Sequence, residues 1–360
     1  MEAEPSSTRI KDHDRDLASF GVALKEVVSR VHRDQILPEA LTLLAGGQAG
    51  TDLVRFRADL DRGIGVCHEA GAATEPECGW PTVISPLMAL DLEQATYVDG
   101  RSGRYQARLS EDWEIWGPNG GYLAAIALRA AGEVAEIERP ASFYCHFLSS
   151  PAFDVVELEV SVLKQGRRAE SFAVEMTQQG KPILHAMVKT AAQAPGYSHQ
   201  HPSAPAVPLP ETLKTYEELF PASPPFSFWE NVERRPVDQS TTDEPQAPLV
   251  RAWARFRPTA CFEDPFLDAA RALILLDTYG FPAAYRHYRS WEYLAPNLDT
   301  SAWFHHFNPD CEWLLIDHEC TVADHGLMGV SGRVWDTDGR LLATGSAQLC
   351  CIPNPSAPSA

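Results

Sequence analysis

The chain has 360 residues, enough for two domains with buried cores, and its 44% hydrophobic and 22% charged residues exclude a disordered or fibrous chain. Acidic side chains outnumber basic ones 49 to 30, a net charge of −19 that no Lys/Arg-rich run offsets, so neither a nucleic acid nor a membrane is expected as partner. Anionic groups on a ligand must then be held by backbone amides or by local arginine pairs such as Arg167 and Arg168, Arg234 and Arg235, or Arg286 and Arg289.

Residues 1–85 read as a helical N-terminal extension. Leu17, Phe20, Leu24, Val27, Val28 and Val31 fall at three- and four-residue spacings, and shorter helices are expected at Pro38–Leu44 and from Thr51 through Leu60. The start Met1-Glu2-Ala3-Glu4-Pro5 lacks the basic and apolar regions of a signal peptide. Eight cysteines are scattered without a CxxC pair, which argues against a disulfide framework and for a reduced, cytoplasmic protein. Cys67-His68 with Cys78 lacks a fourth ligand at zinc spacing, so no metal is expected, and no cofactor.

Residues 86–193 change to strand patterning around one helix. Tyr105, Ala107 and Leu109 alternate, a helix follows from Gly120 to Ala131, and Val156 to Val162, Phe172 to Met176 and Ile183 to Val188 make a meander. The turn Pro118-Asn119-Gly120-Gly121 before that helix would leave its first amides, at the positive end of the helix dipole, facing an approaching negative oxygen. The same residues also suit a plain turn and helix start.

Prolines crowd residues 194–248, read as a linker wrapping a surface. Over 249–352 the order returns: strand Val250 to Phe256, helix Pro265 to Tyr279, strand Leu298 to Phe307, then Trp313 to Cys320 and two hairpin strands. An offset of 159 residues places His146 against His305 and the Gln179-Gly180-Lys181 turn against Asp338-Gly339-Arg340, the mark of a tandem duplication. Residues 353–360 read as a disordered tail. Each unit is a helix wrapped by a largely antiparallel sheet, an α+β arrangement in which two sheets can join edge to edge.

Trp113 to Arg129, Arg139-Pro140-Ala141-Ser142, Gln165-Gly166-Arg167-Arg168, Leu298-Asp299-Thr300-Ser301-Ala302-Trp303-Phe304-His305, and Trp335 through Thr344 to Gln348 together resemble the double-hotdog acyl-CoA thioesterases, in particular bacterial acyl-CoA thioesterase II, from about residue 86 to 352. The resemblance implies a tandem hotdog fold and water-driven hydrolysis of an acyl-CoA or acyl-carrier thioester, without a covalent intermediate. It also implies an Asp, a Thr and a Gln holding the water. Those positions fall on Asp277, on Asn297 as a departure from Thr, and on Gln348, with Thr300 or Ser301 able to replace Asn297 only if the strand register differs.

A thioester needs an oriented water, a base, and donors for the tetrahedral oxyanion. Asp277, behind Leu273-Ile274-Leu275-Leu276, suits the base, since apolar surroundings raise a carboxyl pKa; it also suits a helix end before Gly280. The oxyanion donors are the amides of Gly120 and Gly121 or those at the N-terminus of the second helix, between which the sequence does not choose, with Asn119 a group to orient substrate and Thr300 and Ser301 beside them. Leu123, Ile126, Ile274 and Leu275 would line an acyl tunnel. His146, His305 and His306 read as core or interface residues. Homo-oligomers through the hotdog sheets fit the same scaffold. Two alternatives stay open: the scaffold repurposed for dehydration, hydration or cyclisation, and a non-catalytic acyl-binding subunit.

Overall fold

A computed structural model describes residues 91–221, 226–238 and 244–355. The helices expected within 1–85 and the Cys67, His68 and Cys78 group lie outside the described residues.

The first half comprises α1 (Leu92–Ala95), β1 (Asp99–Arg101), β2 (Arg104–Arg108), α2 (Gly120–Gly132), β3 (Pro140–Phe147), β4 (Val155–Lys164), β5 (Ala169–Gln178) and β6 (Lys181–Ala191). Strand periodicity accounts for β4, where Val156, Leu158 and Val160 are buried while Glu157 and Glu159 face solvent. The β5–β6 hairpin closes through Gln179 and Gly180 at φ 52° and 78°, the double positive φ that a tight, twist-compatible turn demands. The second half follows α3 (Tyr216–Leu219) and β7 (Val232–Pro236) with β8 (Leu249–Phe256), α4 (Pro265–Thr278), α5 (Gly280–Tyr288), β9 (Tyr293–Leu294), β10 (Asp299–Phe304), β11 (Leu314–Asp324), β12 (Leu327–Trp335), β13 (Leu341–Cys350) and β14 (Ile352–Pro353).

Twelve strands make one antiparallel sheet in the order β1-β2-β4-β5-β6-β3-β10-β13-β12-β11-β8-β7. The run β2-β4-β5-β6-β3 is mirrored by β8-β11-β12-β13-β10, so the duplication read from the sequence is present strand for strand. The halves meet at β3 and β10, whose register pairs His146 with Asp299, Tyr144 with Ser301 and Ser142 with Trp303. Both central helices lie on one face of this sheet, and α2, with Ala124, Ala125, Ala127, Ala130 and Ala131 all buried, is enclosed on every side, its Arg129 satisfied by the Glu93 carbonyl at 2.8 Å.

Three details differ from expectation. The proline-rich segment supplies a strand: β7 pairs with β8 at the sheet edge, held there by the buried Glu233 carboxylate, which takes Arg235, Arg255 and Arg257 at 2.7–2.8 Å. α4 ends at Thr278, before Gly280 as expected, but Gly280 at once opens a second helix, α5, where a Cβ on it would stand 2.9 Å from Val330 Cγ2. The start of the expected tail is tied down, since β14 pairs with β9 and Asn354 donates its amide to the Glu292 carbonyl at 2.8 Å.

Candidate active site

Asp277 sits in the last turn of α4, buried where that helix passes α2. Its Oδ1 accepts from Thr300 Oγ1 at 2.6 Å and from Asn297 Nδ2 at 2.7 Å, and Asn297 Nδ2 also reaches the Asp277 carbonyl at 2.9 Å. The Gly121 amide donates to the same carboxylate. Strand parity delivers Thr300: on β10, Thr300 and Ala302 turn toward the helices while Asp299, Ser301 and Trp303 turn away. Asn297 is fixed two residues before the strand by a bridge to Leu349. Burial pushes the Asp277 carboxyl above the ordinary carboxylate value, and the three donors from Thr300, Asn297 and Gly121 offset only part of that rise. Such a carboxylate is a stronger proton acceptor than one on the surface.

The glycine pair makes this contact sterically available. A Cβ on Gly120 would stand 3.0 Å from Asp277 Oδ2, and one on Gly121 would stand 2.8 Å from Ile274 Cα and 3.0 Å from Asp277 Cβ. Backbone thus approaches backbone where α2 meets α4. The negative oxygen foreseen at the start of α2 is therefore the side chain of Asp277, and the Gly121 amide is taken by it, which corrects the reading of both glycine amides as free oxyanion donors. Asn119 caps α2 by accepting from the Tyr122 amide at 2.9 Å, and its Nδ2 donates to Thr278 Oγ1 at 3.2 Å. One side chain so joins the domain carrying the glycines to the helix carrying the acid.

Thr278 and Cys145 are neighbours that sequence reasoning passed over. Cys145 is the β3 partner of Thr300 in the ladder and faces inward beside it, and burial with the nearby Asp277 charge holds its thiol well above the ordinary range. Its place on the strand face shared with Phe143 was legible; that this face meets Asp277 was not.

Two expected site residues lie elsewhere. Ser301 Oγ pairs with Ser346 Oγ at 2.9 Å on the outer face of the sheet. Gln348 belongs to that outer face as well, because Ala347 and Leu349 point inward and successive side chains alternate. Its side chain makes no hydrogen bond to Asp277, Asn297 or Thr300 among the described residues. Its backbone is engaged: the carbonyl accepts from Leu298 N at 2.7 Å and the amide donates to Asp299 Oδ1 at 2.9 Å.

The histidines are not in the core. His146, His305 and His306 are exposed, and His305 Nε2 lies 3.0 Å from Thr344 Oγ1. Leu123, Ile126, Ile274 and Leu275 are buried in the main core. Of the arginine pairs, Arg234 is held by Glu217 at 3.0 Å, Arg235 by Glu233 at 2.8 Å, and Arg286 donates to the Asp238 carbonyl at 3.2 Å. Among the described residues no helix is long and apolar enough to cross a membrane.

A helix-wrapped sheet repeated twice and fused at β3 and β10, with one buried acid where the helices touch, defines a double-hotdog protein. The acyl-CoA thioesterase N-terminal domain family matches residues 109–191 and the C-terminal domain family residues 199–352; the chain belongs to the acyl-CoA thioesterase family, whose members are thioester hydrolases. Human acyl-coenzyme A thioesterase 8 is 27% identical over 249 residues, 62% of this chain and 77% of that protein. An uncharacterized protein of Mycobacterium tuberculosis is 26% identical over 278 residues, 69% of this chain and 91% of the relative. Among solved structures, a hotdog-fold protein from Alicyclobacillus acidocaldarius superposes with a TM-score of 0.63 at 20% identity, covering 74% of this chain and 98% of the other. Acyl-CoA thioesterase II TesB2 from Mycobacterium marinum superposes with a TM-score of 0.60 at 20% identity, covering 74% and 99%.

Proposed function

We propose that the chain hydrolyses an acyl thioester of coenzyme A or of an acyl carrier, in the cytoplasm, using a water activated by Asp277. The observation that carries this reading is the buried Asp277 carboxylate whose Oδ1 is held by Thr300 and Asn297 while Oδ2 lies against Gly120. With Oδ1 occupied, Oδ2 is the oxygen left to take a proton from water as hydroxide adds to the thioester carbon. The oxyanion that forms would meet the positive end of α2 at Gly120, the glycine whose amide Asp277 leaves open. Collapse breaks the C–S bond, and the proton on Asp277 passes to the departing thiolate.

In this reading Thr300 supplies the hydroxyl that the family pattern places at Asn297, and Asn297 adds a second donor. Gln348 contributes through its backbone, which holds Leu298 and Asp299 and thereby the strand start carrying Asn297 and Thr300. Assembly into homo-oligomers through the sheets belongs to the same reading.

Thiol release from a panel of acyl-CoAs tests the proposal. Asp277→Asn is expected to lower kcat by about 10²–10⁴-fold with KM little changed, as loss of a general base does. No thiol release from any member by the wild-type protein would overturn hydrolysis, and mass spectrometry showing water gained or lost with the thioester intact would establish a hydratase or dehydratase instead.

A further inference from the structure

Ahead of Gly120 the chain takes a conformation that its residue does not favour. Trp116 has φ 58°, in the left-handed region that glycine enters freely and that is uphill for a bulky side chain. Gly117, next along, has φ 124°. The loop they top is closed on itself, with the Ile115 amide donating to the Gly117 carbonyl at 2.9 Å and the Asn119 amide to the Trp113 carbonyl at 3.0 Å. Both ends of the loop are anchored without Trp116: Trp113 is buried and stacks on Tyr122 at 5.3 Å, and Asn119 caps α2.

The strained backbone delivers the Trp116 ring to two partners. It meets Phe281, near the start of α5, edge to face at 5.5 Å and 70°, and Phe226 of the proline-rich segment at 6.4 Å and 90°. Phe281 stands four residues past Asp277, and Trp116 four before Gly120. Three contacts therefore run outward from the buried acid in antiparallel order: the Gly121 amide on Asp277, Asn119 on Thr278 at 3.2 Å, and Trp116 on Phe281. The outermost of the three is apolar, so it can neither take a proton nor stabilise an oxyanion.

We infer that Trp116 is a positioning residue: gripped by Phe281 and Phe226, its ring holds the loop that sets Gly120 against Asp277 Oδ2, and so fixes the separation of the oxyanion donor from the base. Donor and base come from different halves of the chain, and only packing across the halves can fix the gap between them. The tolerance is narrow, since a misplacement of about 1 Å can cost about 10²-fold in rate. A glycine at position 116 would take the same φ without steric cost but would bring no ring to Phe281. The bulky residue there gives up local comfort for a grip on the other half. This inference rests on Asp277 as the base.

Trp116→Gly, Trp116→Phe, Phe281→Ala and the double variant Trp116→Gly/Phe281→Ala, each made in the full chain, test it. Trp116→Gly removes the ring and the strain together, so it is expected to keep the wild-type circular dichroism spectrum while lowering kcat for thiol release by about 10-fold or more, with KM changed by less than about twofold. Hydrogen exchange of the amides at 119–123 should speed up in the same variant. Trp116→Phe keeps an aromatic edge and should bring kcat back to within about threefold of wild type. Phe281→Ala should repeat the loss on its own and add little to Trp116→Gly, as residues sharing one contact do. Unchanged kcat or unchanged exchange in Trp116→Gly, a phenylalanine that restores nothing, or additive losses in the double variant would each overturn the inference. A wild-type chain that releases no thiol, with the exchange effect still present, would remove the hydrolysis reading and leave the grip of Trp116 on the loop standing.

Discussion

Thr300 and Asn297 touch the same oxygen of Asp277, and each lowers a carboxyl pKa that burial raises. Because the base must be ionised, the acidic limb of the rate profile is expected above the ordinary carboxylate value, and Thr300→Val, which removes one lowering contact, should move that limb to higher pH. A limb unmoved in Thr300→Val would mean that Asp277 does not control the rate. The position of Asp277 came from the resemblance, and its place behind four apolar residues suited a base and a helix end alike. Thr300 and Ser301 were not separable from sequence, because a one-residue slip in register exchanges the faces of a strand. The same parity carries Gln348 to the outer face, where family spacing alone would not put it.

At the scale of elements, the approach of α2 to α4 is set by two glycines and one asparagine. Gly→Ala in a helix ordinarily stabilises by about 0.5–1 kcal/mol, but at Gly121 a methyl would stand 2.8 Å from Ile274 Cα, which only a backbone shift can relieve. Gly121→Ala should therefore destabilise, by about 1–3 kcal/mol in denaturant unfolding, and lower thiol release by displacing Asp277 from the Gly121 amide. A more stable and fully active variant would refute the close contact. The helices and hairpins were readable from period and turn chemistry. The strand role of Val232–Pro236 was not, because prolines crowd this segment and mask a short edge strand.

At the scale of the whole molecule, the core accepts a titratable group that has no partner. His318 on β11 is buried over Gly332, where a Cβ would stand 2.0 Å from the imidazole Nε2, and neither ring nitrogen finds a hydrogen bond. Burial pushes it down to about 3, from 6.5 in an unfolded chain. The unfolded state takes up a proton near 6.5 that the folded state refuses until about 3, so this group's contribution to stability is intact above about 6.5 and is lost as pH falls toward about 3. Stability measured against pH should fall less steeply across that window in His318→Leu than in the wild type; parallel curves would show that the imidazole is hydrated or paired in solution.

Local period, turn chemistry and internal repetition by themselves determined two helix-wrapped sheets in tandem, because hydrophobic alternation, glycine turns and a repeated strand order are short-range properties written in consecutive residues. Only the tertiary structure decided which side chains share a site. Asp277 meets Gly121, Asn297 and Thr300 through the packing of α2 on α4 and the face that β10 presents. The seam between the two halves likewise exists only because β3 and β10 pair in one register. A contact between residues more than a hundred positions apart depends on how two surfaces seat against each other, which no local pattern records.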